Sequence, residues 1–146
     1  MNNKSIIAII VLLILATTTP ALCDIWSNCG TANDHFQIQK VVITPDPPVK
    51  GQSLNVTATG QLNEAVTGGN AHLLIKYGFI TIINQNEDIC SIPNSPYQCP
   101  ISAGDYQRSV IGNIPSNVPS GKYTGNVVFT DQNNQEIACI SLDLTL

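Results

Sequence analysis

The chain has 146 residues, which fits one domain, and only 11% of them are charged. Six Lys and Arg against ten acids give a formal charge of −4. Because binding to nucleic-acid phosphates needs clustered Lys and Arg, this composition argues against a nucleic-acid partner.

The amino terminus has the pattern of a secretory signal peptide. Lys4 supplies a positive start, an apolar run follows, and Ala21 and Cys23 are the small residues before a cut ahead of Asp24. A membrane anchor is the alternative, but a bilayer span needs about 20 apolar residues, roughly twice the length of this run. We therefore expect residues 1–23 to be removed, and residues 24–146 to form one domain with a formal charge of −5.

Removal of Cys23 leaves four cysteines, an even set that predicts two disulfides in an oxidising compartment. Of the three possible pairings, the spacing favours Cys90 with Cys99 as a local clip and Cys29 with Cys139 as a long-range tie. Because the sequence has no Cys-x-x-Cys pair, zinc is a poor alternative, and we predict no metal site and no cofactor.

The first half of the mature chain predicts two strands after an irregular stretch from residue 24 to residue 34. In the strand Phe36–Thr44, the alternating apolar residues change from even-numbered to odd-numbered positions, which indicates a bulge near Lys40. The prolines that follow end the strand. Gly51 opens a second strand with alternating apolar and polar residues. Asn55 begins the one N-glycosylation sequon of the mature chain, on the polar face, where a glycan is tolerated; an unused sequon is the alternative.

The second half predicts further strands with turns between them. Ala71–Ile83 is the most apolar segment, and Gly78 within it indicates a bulge or twist. A strand follows the cysteine-clipped loop from about residue 105 to residue 114. The last thirty residues form a hairpin around a polar turn at 131–135, and Cys139 lies on the parity opposite to its apolar neighbours.

No segment shows a helical period, so the chain is predicted to be all-β. About seven short strands in about 120 residues indicate an immunoglobulin-like two-sheet antiparallel β-sandwich. Catalytic groups are sparse: His35 and His72 are isolated, and the adjacent Glu87 and Asp88 are typical of a solvated loop. We therefore expect a protein that is not an enzyme and has no catalytic residues.

Four motifs occur in a specific order along the mature chain. They are Asn28-Cys29-Gly30, the prolines from Pro45 to Pro48 before Gly51, Cys99-Pro100-Ile101, and Pro119-Ser120-Gly121-Lys122-Tyr123. With the late cysteine in an alternating terminal strand, they resemble the ML family of secreted lipid-recognition domains. This family includes sterol carriers of the Niemann-Pick type C kind and phosphatidylglycerol/phosphatidylinositol transfer proteins. The resemblance also supports the two disulfide pairings.

The resemblance implies an apolar cavity between the sheets that holds a lipid. Without it, the same apolar side chains would be expected to fill a closed core. The residues it implies for the cavity and its mouth are Ile75, Ile80, Ile82, Val118, Tyr123, Val127, Phe129 and Leu142.

The function that follows is lipid binding and transfer between membranes. The expected ligand is a phospholipid, such as phosphatidylglycerol or phosphatidylinositol, or a sterol. We expect a monomer that contacts membranes transiently, either secreted or in the endolysosomal lumen. Two alternatives remain open: a lipid-recognition module that acts through a receptor partner, and a plain adhesive sandwich.

Overall fold

The structure is a computed structural model that describes residues 24–91 and 98–146. The expected signal peptide therefore lies outside the described residues, as does the middle of the cysteine-clipped loop. The described residues form eight strands and contain no helix that could cross a membrane. The strands are β1 Trp26–Asn28, β2 Phe36–Thr44, β3 Ser53–Leu62, β4 Gly69–Tyr77, β5 Ile80–Asp88, β6 Gly104–Asn113, β7 Lys122–Asp131 and β8 Glu136–Thr145.

The strands form two antiparallel sheets, which confirms the predicted β-sandwich. One sheet has the order β1-β8-β7-β4-β5 and the other has the order β2-β3-β6. The sheets approach each other most closely where β2 lies against β8. Strands β5 and β6 are edge strands, each at the end of its sheet. The sandwich is therefore joined along β2 and β8, and its other long side is bounded by β5 and β6.

The predicted bulge in the first strand is confirmed. The register between β2 and β3 shifts between Ile38 and Lys40, so that Gln39 is the extra residue. This shift lets the apolar residues on both sides of it face the same way. The change of parity in the sequence was therefore a reliable signal.

Two expectations about local structure were wrong. Gly78 is not a bulge within one strand; with Phe79 it forms the two-residue turn that joins β4 to β5. Its φ of 55° is what a tight hairpin requires at the first central position, and glycine adopts it at little cost. The stretch from residue 24 to residue 34 is also not wholly irregular, because β1 pairs with β8 at its edge.

The strands run between two ends that differ in their loops. The Phe79 end comprises the loops 45–52, 78–79 and 114–121. The His35 end comprises residues 29–35, the connections 63–68 and 132–135, and the described parts of the β5–β6 connection, 89–91 and 98–103.

The hydrophobic core lies toward the His35 end. Its buried members come from both sheets and from the connections beside them. Val66, which is 2% exposed, is fixed by a two-residue bridge to Ile101. The buried residues are Leu62, Val66, Ala71, Ile89 and Ile137, and Phe36, Cys90, Ile101, Tyr106 and Phe129 pack against them partly buried.

Both predicted disulfides are present. Cys29 and Cys139 are 110 residues apart in the chain, and their bond ties the amino-terminal segment to β8. Cys139 pairs with Val128 on the face of the sheet opposite to Ile140, as its parity predicted. Cys90 and Cys99 close the local clip. Such bonds are typical of an extracellular or lumenal protein.

Candidate functional site

The inner faces of the two sheets are identified from the core residues and the strand register. In β3, Leu62 belongs to the core, so that Leu54, Val56 and Ala58 share its face. In β4, Ala71 belongs to the core, so that Leu73, Ile75 and Tyr77 share its face. The inner faces of β3 and β4 are therefore apolar along their whole length.

The side chains on these inner faces become less buried with increasing distance from the His35 end. Leu62 and Ala71 are only 5% and 7% exposed, whereas Val56 and Ile75 on the same strands are half-buried. On β6, Val110 is 62% exposed although it pairs with Val56 on the inner face. The two apolar faces therefore do not cover each other toward the β6 edge.

Three of the predicted cavity residues lie next to one another on the inner face of the larger sheet. Ile75 and Leu142 both pair with Gly125, one from each side, and Val127 is two residues further along β7. Gly125 has no side chain, and a Cβ at this position would lie 2.6 Å from the Ile75 Cδ1 atom. The side chains of the flanking strands therefore occupy the surface above the Gly125 backbone.

The other predicted residues lie in four different places. Ile80 and Ile82 are on the edge strand β5, 65% and 50% exposed, and Val118 is half-buried in the loop 114–121. Phe129 shares the inner face of β7 but packs against the closed core. Tyr123 is buried near the Phe79 end. The structure thus does not bring all eight residues together.

Two tyrosines fasten the loop 114–121 to the larger sheet. Tyr77 donates its hydroxyl hydrogen to the Ser120 carbonyl oxygen at 2.8 Å, and Tyr123 donates to the Pro119 carbonyl oxygen at 2.8 Å. Their ring centroids are 5.1 Å apart. Gly121 has a φ of 148°, and a Cβ there would lie 2.8 Å from the Tyr77 ring. Burial and the neighbouring Tyr77 hydroxyl raise the pKa of Tyr123.

One cation belongs to the inner-face set of β6. Arg108 pairs with Ala58 and shares a face with Tyr106 and Val110. It is exposed, so its positive charge is not sealed inside the protein. Sequence reasoning did not assign Val110 to the site, and it weighed Arg108 as a contact for an anionic headgroup but favoured a solvated surface position. The alternation of Tyr106, Arg108 and Val110 contained the signal, but the inward parity was unknown without the partner strand.

A polar cluster at the His35 end has a different character. His35 is 8% exposed, and its Nδ1 atom is 3.3 Å from the Asn63 Oδ1 atom. Its Nε2 atom is 3.1 Å from both the Gln135 Oε1 and the Glu64 Oε1 atoms, and 3.7 Å from the Asp131 Oδ2 atom. His35 thus joins its own segment to two connections that are distant in sequence, 63–68 and the β7–β8 turn, and these contacts give it a structural role in the fold.

Asp131 shapes the β7–β8 turn. Its side chain is fully buried, and the Oδ1 atom accepts hydrogen bonds from the Asn133 and Gln135 backbone amides at 2.7 and 2.8 Å. The ligand atoms of His35, Glu64 and Asp131 lie within 4.8 Å of one another, a spacing that a metal ion would tolerate. The hydrogen bonds of Asp131 already account for its burial, and such groups occur in proteins without an ion.

A pocket of about 350 Å³ also lies at the His35 end, lined by Thr31, Asn33, Asp34, His35, Gln135 and Glu136. Its lining is polar, so it does not match the apolar cavity that the sequence predicts. Within it, burial raises the pKa of Glu136, and the nearby Asp34 carboxyl adds to the effect through its charge and a side-chain hydrogen bond. The ionised form of Glu136 is therefore disfavoured in the folded protein.

Comparison with known families and proteins agrees with this architecture. The chain matches the model of a family described as the ML domain over residues 24–146. A Dictyostelium discoideum protein, provisionally named a phosphatidylglycerol/phosphatidylinositol transfer protein, is 58% identical over 133 residues, covering 91% of this chain and 94% of that protein. The phosphatidylglycerol/phosphatidylinositol transfer protein of Mycosarcoma maydis is 32% identical over 123 residues, covering 82% of this chain and 64% of that protein.

Two solved structures are similar to this chain in fold. A Niemann-Pick type C2 protein from the Japanese carpenter ant has a TM-score of 0.66 and 14% identity, covering 84% of this chain and 98% of that chain. Chicken MD-1, crystallised with lipid IVa, has a TM-score of 0.60 and 16% identity, covering 82% of this chain and 86% of that chain. At these identities, the similarity shows a shared sandwich fold.

Proposed function

The chain belongs to the ML-domain family, and on this premise we propose that it binds a phospholipid between its two sheets and carries it between membranes. The observation that carries this proposal is the inner face around Val110, which is apolar on both sheets but left uncovered on the β6 side. The naming of the related phosphatidylglycerol/phosphatidylinositol transfer proteins supports this class of ligand.

The energetics favour a partly open site for such a carrier. Each buried CH₂ group contributes about 0.8 kcal/mol, so a chain of about 16 carbons needs roughly 12 kcal/mol of apolar shelter to leave a bilayer. Half-buried apolar surface of this kind is present at Ile75, Val127 and Leu142 on one sheet and at Val56 on the other. A site that matches the bilayer in free energy lets lipid exchange in both directions.

Arg108 supports an anionic phospholipid over a sterol as the ligand. Its position between Tyr106 and Val110 on β6 places a permanent positive charge beside the apolar face and in contact with solvent. A guanidinium group pairs well with a phosphate oxygen. We assign the acyl chains to the inner faces and the phosphate to the Arg108 side of the opening. A sterol has no phosphate group and would not form an ion pair with Arg108.

The remaining features of the proposal concern the setting in which the protein works. It is a monomer in the secreted or endolysosomal compartment, it loads and unloads lipid during transient contact with a membrane, and no chemical step is involved. Ile80, Ile82 and Val118 border the opening, and Tyr123 and Phe129 support the inner face of β7. Asn55, exposed on the outer face of β3, is the proposed glycosylation site.

Two neighbouring residues of β6 provide a matched test. Val110 and Ile111 are 62% and 69% exposed, but they lie on opposite faces of the same strand. Val110→Trp should fill space between the sheets, whereas Ile111→Trp places the same side chain on the outer face. We expect the wild type and I111W to retain lipid on purification and to move labelled phosphatidylglycerol between vesicles. V110W should bind less lipid and transfer it more slowly.

Native mass spectrometry and lipid extraction measure the occupancy, and circular dichroism confirms that both variants are folded. A wild-type protein that contains no lipid and moves none would contradict the proposal, as would equal occupancy in V110W and I111W. Retention of a sterol alone would contradict the assigned ligand. A second comparison, Arg108→Gln against Lys40→Gln, tests the phosphate contact, and only the Arg108 variant should lose preference for anionic lipid.

A further inference from the structure

The exposed apolar side chains are concentrated in one half of the molecule. Phe79, at the tip of the β4–β5 turn, is fully exposed, with a relative solvent-accessible surface area of 105%. Among the described residues, every large apolar side chain that is exposed lies in the half toward the Phe79 end. The set is Val42, Val49, Phe79, Ile80, Ile82, Val110 and Ile111.

The acidic side chains are concentrated at the opposite end. Of the ten acids in the chain, seven lie toward the His35 end: Asp34, Glu64, Glu87, Asp88, Asp105, Asp131 and Glu136. The other three, Asp24, Asp46 and Asp143, are balanced by Lys50, Lys76 and Lys122 in the half toward the Phe79 end. Lys40 and Arg108 lie in the middle of their strands. The Phe79 end is thus close to neutral, and the His35 end is strongly negative.

We propose that the β4–β5 hairpin tip, formed by Phe79, Ile80 and Ile82, is the element that docks on a bilayer containing anionic lipid. The proposal rests on the carrier function above and names the surface that makes the membrane contact. An anionic bilayer repels the His35 end but not the Phe79 end, so its field orients the protein with the hairpin toward the lipid. The aromatic and aliphatic side chains of the tip then enter the interfacial region.

Two hydrogen bonds attach the β4–β5 hairpin to its neighbours in the fold. The Gly78 backbone amide donates a hydrogen bond to the Lys122 carbonyl oxygen at 3.1 Å, and the Tyr77 hydroxyl donates to the Ser120 carbonyl oxygen. The tip is therefore fixed to β7 and to the loop 114–121. Its strand β5 also forms one border of the proposed lipid opening, where Ile83 pairs with Ile75 on the inner face. Docking through this tip brings that border to the bilayer surface.

The apolar contact is tested with Phe79→Ser, and Ile111→Ser serves as the control. Ile111 is also well exposed, but it lies on the outer face of the smaller sheet, in register with Asn55. Vesicles of phosphatidylcholine with phosphatidylglycerol are sedimented with each protein. We expect F79S to bind about tenfold more weakly than the wild type, as the loss of one inserted aromatic side chain implies, and I111S to bind like the wild type.

The charge contribution is tested with two identical charge reversals. Lys76→Glu alters the half toward the Phe79 end, and Lys40→Glu alters the middle of β2. We expect K76E to weaken binding to the phosphatidylglycerol vesicles about fivefold or more at low salt and to leave binding to pure phosphatidylcholine unchanged. K40E should have the smaller effect because it lies farther from the docked surface.

Unchanged vesicle binding of F79S, equal losses in F79S and I111S, or equal losses in K76E and K40E would overturn the proposal. Self-association of the wild type that F79S abolishes would assign the hairpin to a second copy instead, and would also overturn it. Lipid occupancy is measured in parallel. Vesicle binding that depends on Phe79 in a protein that carries no lipid would end the carrier function but support the docking surface.

Discussion

The His35 end and the Phe79 end use similar apolar residues on the same strands, yet only the His35 end forms a closed core. At the His35 end, the connection 63–68 and the segments 89–91 and 98–103 lie against the sheets and supply Val66, Ile89 and Ile101. At the Phe79 end, a two-residue turn and two loops leave the side chains of β5 and β6 exposed. The two ends therefore differ because connections cover the apolar side chains at the His35 end and not at the Phe79 end. Their apolar residue types are similar.

The largest expected difference between the ends is in stability. Leu62→Ala removes a core side chain that is 5% exposed, and we expect it to lower the free energy of unfolding by about 2–5 kcal/mol. Ile80→Ala, at a position that is 65% exposed, should change it by less than about 0.5 kcal/mol. Urea unfolding followed by fluorescence measures both. Similar losses in the two variants would mean that the ends do not differ in packing.

A second comparison concerns the buried carboxylate of the His35 end. Asp131→Ala leaves the Asn133 and Gln135 amides without their acceptor, and we expect a loss of about 1–3 kcal/mol. Asp131→Asn keeps an acceptor oxygen and should lose less. Asp46→Ala, in the exposed loop 45–52, is the control and should be nearly neutral. If D131A were as stable as D46A, the turn would not depend on this carboxylate.

The smallest expected effect is a pH dependence at the His35 end. Burial and the Asp34 carboxyl raise the pKa of Glu136 in the folded state above its ordinary value of 4.5. The folded protein therefore binds this proton more tightly than the unfolded chain does, and Glu136 adds stability as the pH falls through the raised pKa toward 4.5. This gain is absent at neutral pH, where the ionised carboxylate is unfavourable.

Glu136→Gln should therefore be more stable than the wild type at pH 7, and the difference should shrink as the pH falls toward 4.5. Glu87→Gln, an exposed position at the same end, is the control. The melting temperature across this pH range provides the measurement. A difference between E136Q and the wild type that does not vary with pH, or that E87Q reproduces, would show that the Asp34–Glu136 pair is not responsible.

Several features could be predicted because they depend on local pattern. Alternating apolar residues indicated the strands, the change of parity at Lys40 indicated the bulge, and the spacing of Cys29, Cys90, Cys99 and Cys139 indicated both disulfides. Gly78 was misread because a glycine inside an apolar run is compatible with a bulge or with a turn. Only the pairing of Tyr77 with Ile80 distinguishes them.

The candidate site could be predicted only in part for the same reason. The inner-face positions of Ile75, Val127 and Leu142 could be predicted because the apolar residues of an alternating strand share one face. Val110 was not predicted, Arg108 was expected on the solvated surface, and Phe129 was grouped with residues that lie farther from the closed core. Which part of an inner face is covered depends on connections that are distant in sequence.

The sequence by itself determined the strands, the disulfides and the resemblance to a family, because these follow from residue periodicity and spacing. The tertiary structure decided which end of the sandwich is closed, and that the acids lie at one end while the exposed apolar side chains lie in the opposite half. It also decided that His35 joins its own segment to two connections distant in sequence. The physical reason is that burial and electrostatic fields are properties of the whole arrangement in space, and residues far apart in the chain contribute to them equally.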